Sequence, residues 1–230
     1  MRNMNEVLKE LQDKIGYSFN NEDLLKQAIT HSSFANEQKI NKLKNYERLE
    51  FLGDAVLELV SSEFLFNENK DMPEGQLTRL RASMVCEPAL AFCARKMNLG
   101  ELILLGKGEE AGGGRERNSI LSDVFEAIIG AMYQDGGLEE ARKFIHKFVL
   151  DDVEEAQLFV DSKSILQERI QAEADKTLSY KLISENGPEH DKVFEVAVYI
   201  NDECMATAVG HNKKEAEQQA AYQVLKKMQS

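Results

Sequence analysis

Three acidic side chains recur at helical spacing in the segment ERLEFLGD. Glu47, Glu50 and Asp54 stand at relative positions 0, 3 and 7. At about 100° per residue they fall within roughly 60° of one helix face. Such a row forms either the solvated side of an amphipathic helix or the ligands of a cation. Like charges stacked without an interleaved lysine repel one another mildly, which slightly favours the cation.

Two more acids lie three residues apart in a segment that is otherwise almost entirely apolar. Asp123 and Glu126 interrupt Ile120–Met132, which we predict to be a central, buried helix. A carboxylate in such a place persists only when it is paired or bound to a metal. The partner is either a divalent ion or an arginine such as Arg79 or Arg81. Acids on two helices, with no histidine pattern beside them, suit Mg²⁺ or Mn²⁺ rather than zinc.

Helices must position both sets of acids. Over roughly the first 150 residues the apolar positions recur every three or four residues without strand alternation, which predicts an all-α domain. After a charged, helical start we predict helices at residues 20–30, 45–66, 77–84, 87–97, 119–134 and 139–150. In the second of these the predicted buried stripe is Leu49, Leu52, Val56 and Leu59. The glycine-rich segment 106–114 is predicted to be a loop.

The periodicity changes in the rest of the chain. We predict a helix at residues 162–174, strands at 178–184, 193–200 and 204–209, and a last helix at 213–228 whose stripe includes Met228. This α-β-β-β-α order indicates a three-stranded antiparallel sheet with helices on one face. The predicted fold class is therefore multidomain, with an N-terminal all-α domain and a C-terminal α+β domain. The predicted bounds are residues 1–155, a linker at 156–161, and residues 162–230.

Composition sets limits on the function. The net charge of −12 means that affinity for a polyanion has to come from local charge placement and metal ions. No apolar run approaches the roughly 20 residues of a membrane helix, and the charged start is unlike a secretory signal. Cys86, Cys93 and Cys204 show no metal-binding spacing. We expect them to be buried, reduced thiols, as is usual in the cytoplasm.

The acidic segment is part of a longer pattern, residues 47–55 (ERLEFLGDA), which resembles the signature of the ribonuclease III family at every position. Residues 27–32 (QAITHS), 73–78 (PEGQLT) and 120–127 (ILSDVFEA) resemble other blocks of that family, in the same order. The C-terminal domain resembles a double-stranded RNA-binding domain. The resemblance covers essentially the whole chain and implies an endonuclease domain that cuts double-stranded RNA, followed by a domain that holds it.

The resemblance assigns roles to the acids. It implies that Glu50, Asp123 and Glu126 bind Mg²⁺, which Mn²⁺ can replace, and that Asp54 and Glu126 are catalytic. Asp54 would position and activate the attacking water. Divalent ions stabilise the incoming hydroxide and the leaving 3′ oxygen of a phosphodiester. The expected products carry a 5′ phosphate and a 3′ hydroxyl, with short 3′ overhangs.

Other features of the family follow with less detail. Glu47 and Glu74 match acidic positions with supporting roles. His31 and His146 are interpreted as structural, because the scattered histidines provide no pair for a route through the 2′-hydroxyl. The expected substrates are ribosomal RNA precursors and structured mRNA in the cytoplasm, and no nucleotide cofactor is expected.

The last helix opens with two lysines. Lys213 and Lys214 stand where exposed N–H groups and the helix dipole attract phosphate, although they could be ordinary surface lysines. By the resemblance, Gln167, Gln171 and His190 match contacts to the minor groove of RNA. Glu217 departs from the family, since many such domains carry a third basic residue there. This departure suggests modest affinity and dependence on a dimer.

A homodimer through the first domain is expected, because cutting two strands requires two sites related by a two-fold axis. The resemblance implies the same. Phe51 lies at the acidic edge of its helix and is either an interface anchor or a core residue. Two other functions remain open: an RNA-binding protein with an inactive nuclease domain, and a phosphohydrolase acting on small molecules. Mg²⁺-dependent cleavage of long duplex RNA separates them.

Overall fold

The computed structural model describes residues 3–39, 41–151, 158–173, 175–187, 192–210 and 212–229. The chain forms two compact units, Met1–Val153 and Glu154–Ser230. Residues 156 and 157 of the predicted linker at 156–161 lie outside the described residues, and residues 158–160 are helical. No helix in the described parts of the chain is long and apolar enough to span a membrane.

The first unit is built from helices, as predicted. They are α1 (Met4–Ile15), α2 (Glu22–Ala28), α3 (Ser32–Glu37), α4 (Glu47–Glu68), α5 (Glu74–Val85), α6 (Glu87–Lys96), α7 (Lys107–Ala111), α8 (Asn118–Gly136) and α9 (Leu138–Ile145). Short 3₁₀ turns occur at Lys42–Lys44, Leu99–Leu102 and Gly114–Glu116, and α9 continues into a π-helical turn at His146–Leu150. The segment predicted as a glycine-rich loop contains α7, so that prediction was wrong in part. Its glycines lie mainly at the ends of α7 and in the turns that follow.

Helix α8 is the central element of this unit. It packs against α2, α4, α6 and α9, and Leu121, Val124, Phe125, Ile128 and Ile129 are completely buried. A helix covered on so many sides has to be apolar almost throughout. The prediction that Ile120–Met132 is a central helix is therefore confirmed.

Helices α4 and α8 touch backbone to backbone. A methyl group on Gly53 would lie 1.8 Å from the carbonyl oxygen of Glu126, and one on Gly130 would lie 2.1 Å from the carbonyl oxygen of Leu49. Both distances are far below van der Waals contact, so only glycine fits at these two positions. The crossing therefore brings the acids of α4 beside those of α8.

This crossing also sets which face of α4 is buried. Leu49 and Val56 are buried as predicted, but Leu59 is 56% exposed. The buried residues of α4 are Leu49, Gly53, Val56, Leu57, Val60, Ser61 and Leu65. The predicted stripe was wrong at Leu59. Contact at Gly53 turns the face of α4 that carries Gly53, Leu57 and Val60 toward α8, and Leu59 lies away from that face.

The second unit has the predicted α-β-β-β-α order. It contains α10 (Ser162–Gln171), β1 (Leu178–Asn186), β2 (Val193–Ile200), β3 (Glu203–Gly210) and α11 (Lys213–Gln229). The strands are antiparallel in the order β1-β2-β3. The core of the unit joins one face of the sheet to both helices through Leu166, Ile170, Val198, Ala220, Ala221, Val224 and Leu225.

Two sequence predictions fail in this unit. Met228 is 41% exposed, and Leu225 is buried one turn earlier instead. Cys204 is exposed at the start of edge strand β3, whereas Cys93 is buried and Cys86 is half-buried. The expectation of buried thiols is therefore wrong for Cys204.

Candidate functional site

Two carboxylates from α4 and two from α8 lie close enough to perturb one another. Burial, followed by repulsion from Asp54, Glu50 and Asp123, raises the pKa of Glu126 to about 8. Burial, with repulsion from Asp123, Glu47 and Asp54, raises the pKa of Glu50 to about 7. The structure thus brings Glu50, Asp54, Asp123 and Glu126 into one acid cluster, and this term is used for these four residues below.

Asp123 accepts a hydrogen bond from a tyrosine that the sequence pattern did not predict as part of the site. The Tyr46 hydroxyl donates a hydrogen bond to Oδ2 of Asp123 at 3.1 Å, and Tyr46 is only 4% exposed. Burial raises the pKa of Asp123, although the bond from Tyr46 and the nearby His31 offset part of this. Tyr46 directly precedes the acidic segment, but nothing in its spacing indicates that its hydroxyl reaches α8.

Tyr46 is itself fixed by the surrounding backbone and by His31. Its N–H donates to the carbonyl of Thr30 at 2.9 Å, and its ring lies 5.6 Å from that of His31. Nδ1 of His31 accepts the N–H of Ser33 at the start of α3. His146 packs its ring against Phe64. Both histidines therefore make structural contacts, in agreement with their interpretation from the sequence.

Neither of the arginines considered above as a partner pairs with the acid cluster. Arg81, one of the arginines considered above, pairs with Glu58 at 3.0 Å and donates to Ser62 at 2.7 Å. Arg79 is exposed. No lysine or arginine in the described chain forms an ion pair with a member of the cluster. Without such an ion pair, burial and repulsion from neighbouring acids both favour protonation of Glu50 and Glu126.

The donor set suits a hard divalent ion. All four side chains offer carboxylate oxygen, which Mg²⁺ and Mn²⁺ prefer, and the hydrogen bond from Tyr46 is to Oδ2 of Asp123, not Oδ1. In the described residues, however, no three acidic, histidine or cysteine side chains converge on one point as they stand. Binding an ion therefore requires side-chain rotation on a backbone that already brings the acids together.

The remaining acids of the pattern have different surroundings. Glu47 is exposed and adds to the repulsion felt by Glu50. Glu74 begins α5 and accepts a hydrogen bond from Thr78 at 3.0 Å. It also lines a cavity of about 390 Å³ whose walls come from α4 and α5.

Phe51 lies beside the acid cluster and points away from the core. Its side chain is 81% exposed, and Leu59 and Phe66 on the same helix are 56% and 71% exposed. Core packing of Phe51, the alternative considered above, is therefore excluded. The residues that line the cavity are Leu59, Ser62, Glu63, Leu65, Phe66, Glu74, Leu77, Thr78 and Arg81.

In the second unit, the predicted RNA-binding residues described by the structure are exposed. Gln167 and Gln171 are four residues apart on one face of α10, and Lys213 and Lys214 form the first turn of α11. Asn212 caps α11 by accepting the N–H of Glu215 at 2.9 Å. His190 lies outside the described residues, so its predicted contact has no structural description.

Comparisons with known proteins agree with this architecture. A family model described as ribonuclease-III-like matches residues 21–153, and one described as double-stranded RNA binding motif matches residues 162–228. Proteins named Ribonuclease 3 from Bacillus velezensis and Geobacillus kaustophilus are each 48% identical to this chain. These alignments cover 97% and 96% of this chain and 91% of each relative.

Solved structures give the same result for the first unit. Two structures of the nuclease domain of ribonuclease III from Campylobacter jejuni are 44% and 43% identical, with TM-scores of 0.56 and 0.58. They cover 61% and 63% of this chain, which spans 97% and 94% of them. One of them is described for structural flexibility in a region involved in dimer formation. The chain therefore belongs to the ribonuclease III family, as a nuclease domain followed by a double-stranded RNA-binding domain.

Proposed function

We propose that this chain is a divalent-metal-dependent endoribonuclease that hydrolyses both strands of duplex RNA. The observation that carries the proposal is the acid cluster, in which two helices in backbone contact bring four carboxylates together without an ion pair to lysine or arginine in the described residues. Such an arrangement raises the free energy of the folded protein unless a cation is bound. Membership of the ribonuclease III family supports the same conclusion.

The four members of the cluster have two kinds of role in this proposal. Glu50, Asp123 and Glu126 are the ligands of Mg²⁺, for which Mn²⁺ can substitute. Asp54 is exposed at the edge of the cluster, where its carboxylate can orient a water molecule and accept its proton. When bound, a divalent ion favours ionisation of water and stabilises charge on the leaving 3′ oxygen. The protein side chains alone would repel a phosphate.

The products follow from the direction of attack. Water that attacks phosphorus in line with the 3′ oxygen leaves a 5′ phosphate and a 3′ hydroxyl. Two sites that act across a minor groove from opposite strands leave short 3′ overhangs. The substrates we propose are ribosomal RNA precursors and structured mRNA. A cytoplasmic location is proposed as well, because three cysteines that form no disulfide suit a reducing compartment.

The C-terminal domain holds the duplex by shape and charge. A-form RNA presents phosphates and 2′-hydroxyls but hides most of its base edges. Lys213 and Lys214 meet a phosphate at the start of α11, and Gln167, Gln171 and His190 reach the minor groove. We propose a nuclease domain at residues 1–155, a linker at 156–161 and an RNA-binding domain at 162–230.

A homodimer completes the proposal, and dimer formation in the related Campylobacter domain supports it. A two-fold interface presents the same surface on both copies, so a protruding group and its receiving cavity lie on one face. Phe51, 81% exposed, is the protruding group. The apolar cavity between α4 and α5 is the receiving one. Filling this cavity would also cover the exposed Leu59 and Phe66.

Cleavage of a long RNA duplex tests the function. The purified chain should cut the duplex with Mg²⁺ and not with a chelator, should leave single-stranded RNA of the same sequence intact, and should give ends that polynucleotide kinase labels only after dephosphorylation. Binding without cleavage would identify an inactive nuclease domain. Hydrolysis of a small phosphodiester without cleavage of RNA would identify a phosphohydrolase instead.

A further inference from the structure

One ion pair of the RNA-binding domain joins the two helices that carry its predicted RNA contacts. Nζ of Lys163, on α10, pairs with Oε2 of Glu217, on α11. Lys163 is four residues before Gln167, and Glu217 is four residues after Lys213, so each partner shares a helix face with a predicted contact. The pair therefore lies beside the predicted RNA contacts of both helices, Gln167 on α10 and Lys213 on α11.

Lys163 also makes a cation–π contact with an aromatic ring of the sheet. Its ammonium lies 5.1 Å from the ring centroid of Tyr180 on β1. The side chains of Lys163 and Glu217 remain 35% and 27% exposed, so both are open to solvent. The ring and the carboxylate together hold the ammonium in one place without burying it.

An ammonium bound to a carboxylate contributes little net charge to a surface. For a phosphate approaching α11, the pair cancels the attraction of Lys163, and the carboxylate opposes that of Lys213. We propose that Glu217 holds Lys163 in reserve, which means that its carboxylate keeps the Lys163 ammonium from binding phosphate and thereby lowers the affinity of this domain for duplex RNA. This inference rests on the proposed RNA-binding surface and adds a residue that sets its strength.

A purely structural role is the competing explanation, since the pair also links α10 to α11. Exposed ion pairs usually contribute little to stability. The two explanations differ in a measurable quantity. A structural link changes the thermal unfolding temperature, whereas a reserved cation changes the number of counterions released on RNA binding.

The experiment compares Glu217→Gln, Lys163→Met, the double variant and wild type. Each full-length protein is titrated with a duplex longer than the roughly 16 base pairs that one such domain spans, in chelator, at several salt concentrations. We expect Glu217→Gln to tighten binding about fivefold and to steepen the salt dependence by about one released counterion. Lys163→Met alone should weaken binding modestly, because it leaves the carboxylate of Glu217 uncompensated. In the Lys163→Met background, Glu217→Gln should leave the salt dependence unchanged, because the cation that would release a counterion is gone.

A charge-swapped variant, Lys163→Glu with Glu217→Lys, keeps an ion pair between the helices. It should bind RNA like wild type, since no cation is left unpaired. Equal steepening of the salt dependence by Glu217→Gln with and without Lys163, or tightening in the swapped variant, would show that only the charge at position 217 matters and would overturn the proposal. Unchanged affinity and salt dependence in Glu217→Gln would also overturn it.

A separate variant shows whether the underlying surface is wrong instead. If Lys213→Ala with Lys214→Ala weakens binding but Glu217→Gln has no effect, only the reserve role of Lys163 fails. If neither change affects binding, the proposed phosphate surface on α11 fails as well. Thermal unfolding of every variant shows that the compared proteins are equally folded.

Discussion

Acidic side chains have opposite surroundings in the acid cluster of the first unit and in the RNA-binding domain. In the nuclease domain, Glu50 and Glu126 lie among other acids, and their pKa values rise to about 7 and about 8. In the RNA-binding domain, Glu217 pairs with Lys163, and Glu185 pairs with Lys192, whose hydrogen bond lowers the pKa of Glu185. The same residue type is thus destabilised as an anion in one unit and stabilised in the other.

The difference separates two uses of negative charge. Acids that are kept together without a counter-charge raise the free energy of folding, and such an arrangement is favoured only where a cation binds. Acids that are each paired with a lysine add almost no net field and instead adjust how strongly a surface attracts phosphate. A net charge of −12 therefore does not conflict with RNA binding, because part of the negative charge belongs to a proposed metal site.

The strongest test of the comparison removes one unpaired acid. Glu126→Gln keeps the shape of the side chain but loses a proposed ligand, so cleavage of duplex RNA should fall on the order of 10³-fold or more. Binding of RNA in chelator should be nearly unchanged, because the second unit carries it. Glu68→Gln, an exposed acid at the end of α4, serves as the control. Cleavage at wild-type rate by Glu126→Gln would contradict its assignment as a ligand.

A second test concerns the dimer that would place one acid cluster opposite each strand. Phe51→Asp puts a charge where we propose an apolar anchor, and loss of such an anchor costs about 2 kcal/mol or more, which weakens the dimer at least about 30-fold. Sedimentation of the full chain at micromolar concentration measures the change. Ile183→Asp, 51% exposed in the wild type and in the other unit, should remain dimeric. A wild-type chain that sediments as a monomer would exclude the model.

The third test removes cations from the RNA-binding domain instead of acids from the nuclease domain. Lys213→Ala with Lys214→Ala should weaken duplex binding roughly tenfold or more and should reduce the salt slope by about two contacts. The loss should be similar for unrelated sequences, since phosphate contacts carry no base information. Lys226→Ala with Lys227→Ala, at the other end of α11, should keep the wild-type slope. A matching loss of slope there would argue against a local phosphate site.

Periodicity in the sequence predicts the elements of both units well. The bounds of β2 match the prediction, and α4 and α8 begin and end within two residues of their predicted positions. The reason is that both helices bury long apolar stripes and β2 is a central strand. The spacing of Glu50, Asp54, Asp123 and Glu126 on two helices also holds in the structure.

Tertiary details were not predictable from the same pattern. A helical period gives the width of a buried stripe but not its direction, which is set in α4 by backbone contact at Gly53. Leu59 looks like a core residue until that contact is known. The hydrogen bond from Tyr46 to Asp123 spans 77 positions of the chain, and no local rule connects two such residues. The pairing of Lys163 with Glu217 was hidden for the same reason.

The hydrogen bond from Tyr46 leads to a smaller effect. Tyr46→Phe leaves the ring against His31 but frees Oδ2 of Asp123, so this acid should be less well oriented for a metal. Loss of such an outer contact typically weakens metal affinity roughly 10- to 100-fold. The Mg²⁺ concentration for half-maximal cleavage should therefore rise about tenfold, with nearly normal kcat at saturating Mg²⁺. Tyr133→Phe on α8 is the control, and a fall in kcat without a change in Mg²⁺ requirement would point to a general structural defect.

The smallest expected effect is a pH dependence of stability in the metal-free protein. The folded-state pKa values of Glu50 and Glu126 are about 7 and about 8, above their ordinary value of 4.5. Between pH 4.5 and about 8 the folded state therefore binds more protons than the unfolded state. The raised pKa values stabilise the folded state fully below pH 4.5, and this stabilisation is lost as pH rises through 7 to 8. Mg²⁺ binds the ionised acids, so its stabilisation should increase over the same range. We expect Mg²⁺ to raise Tm by a few degrees more at pH 8.5 than at pH 6, and Glu126→Gln to reduce that difference. Equal stabilisation by Mg²⁺ at both pH values, in wild type and variant alike, would show that the unpaired acids are not where the ion binds.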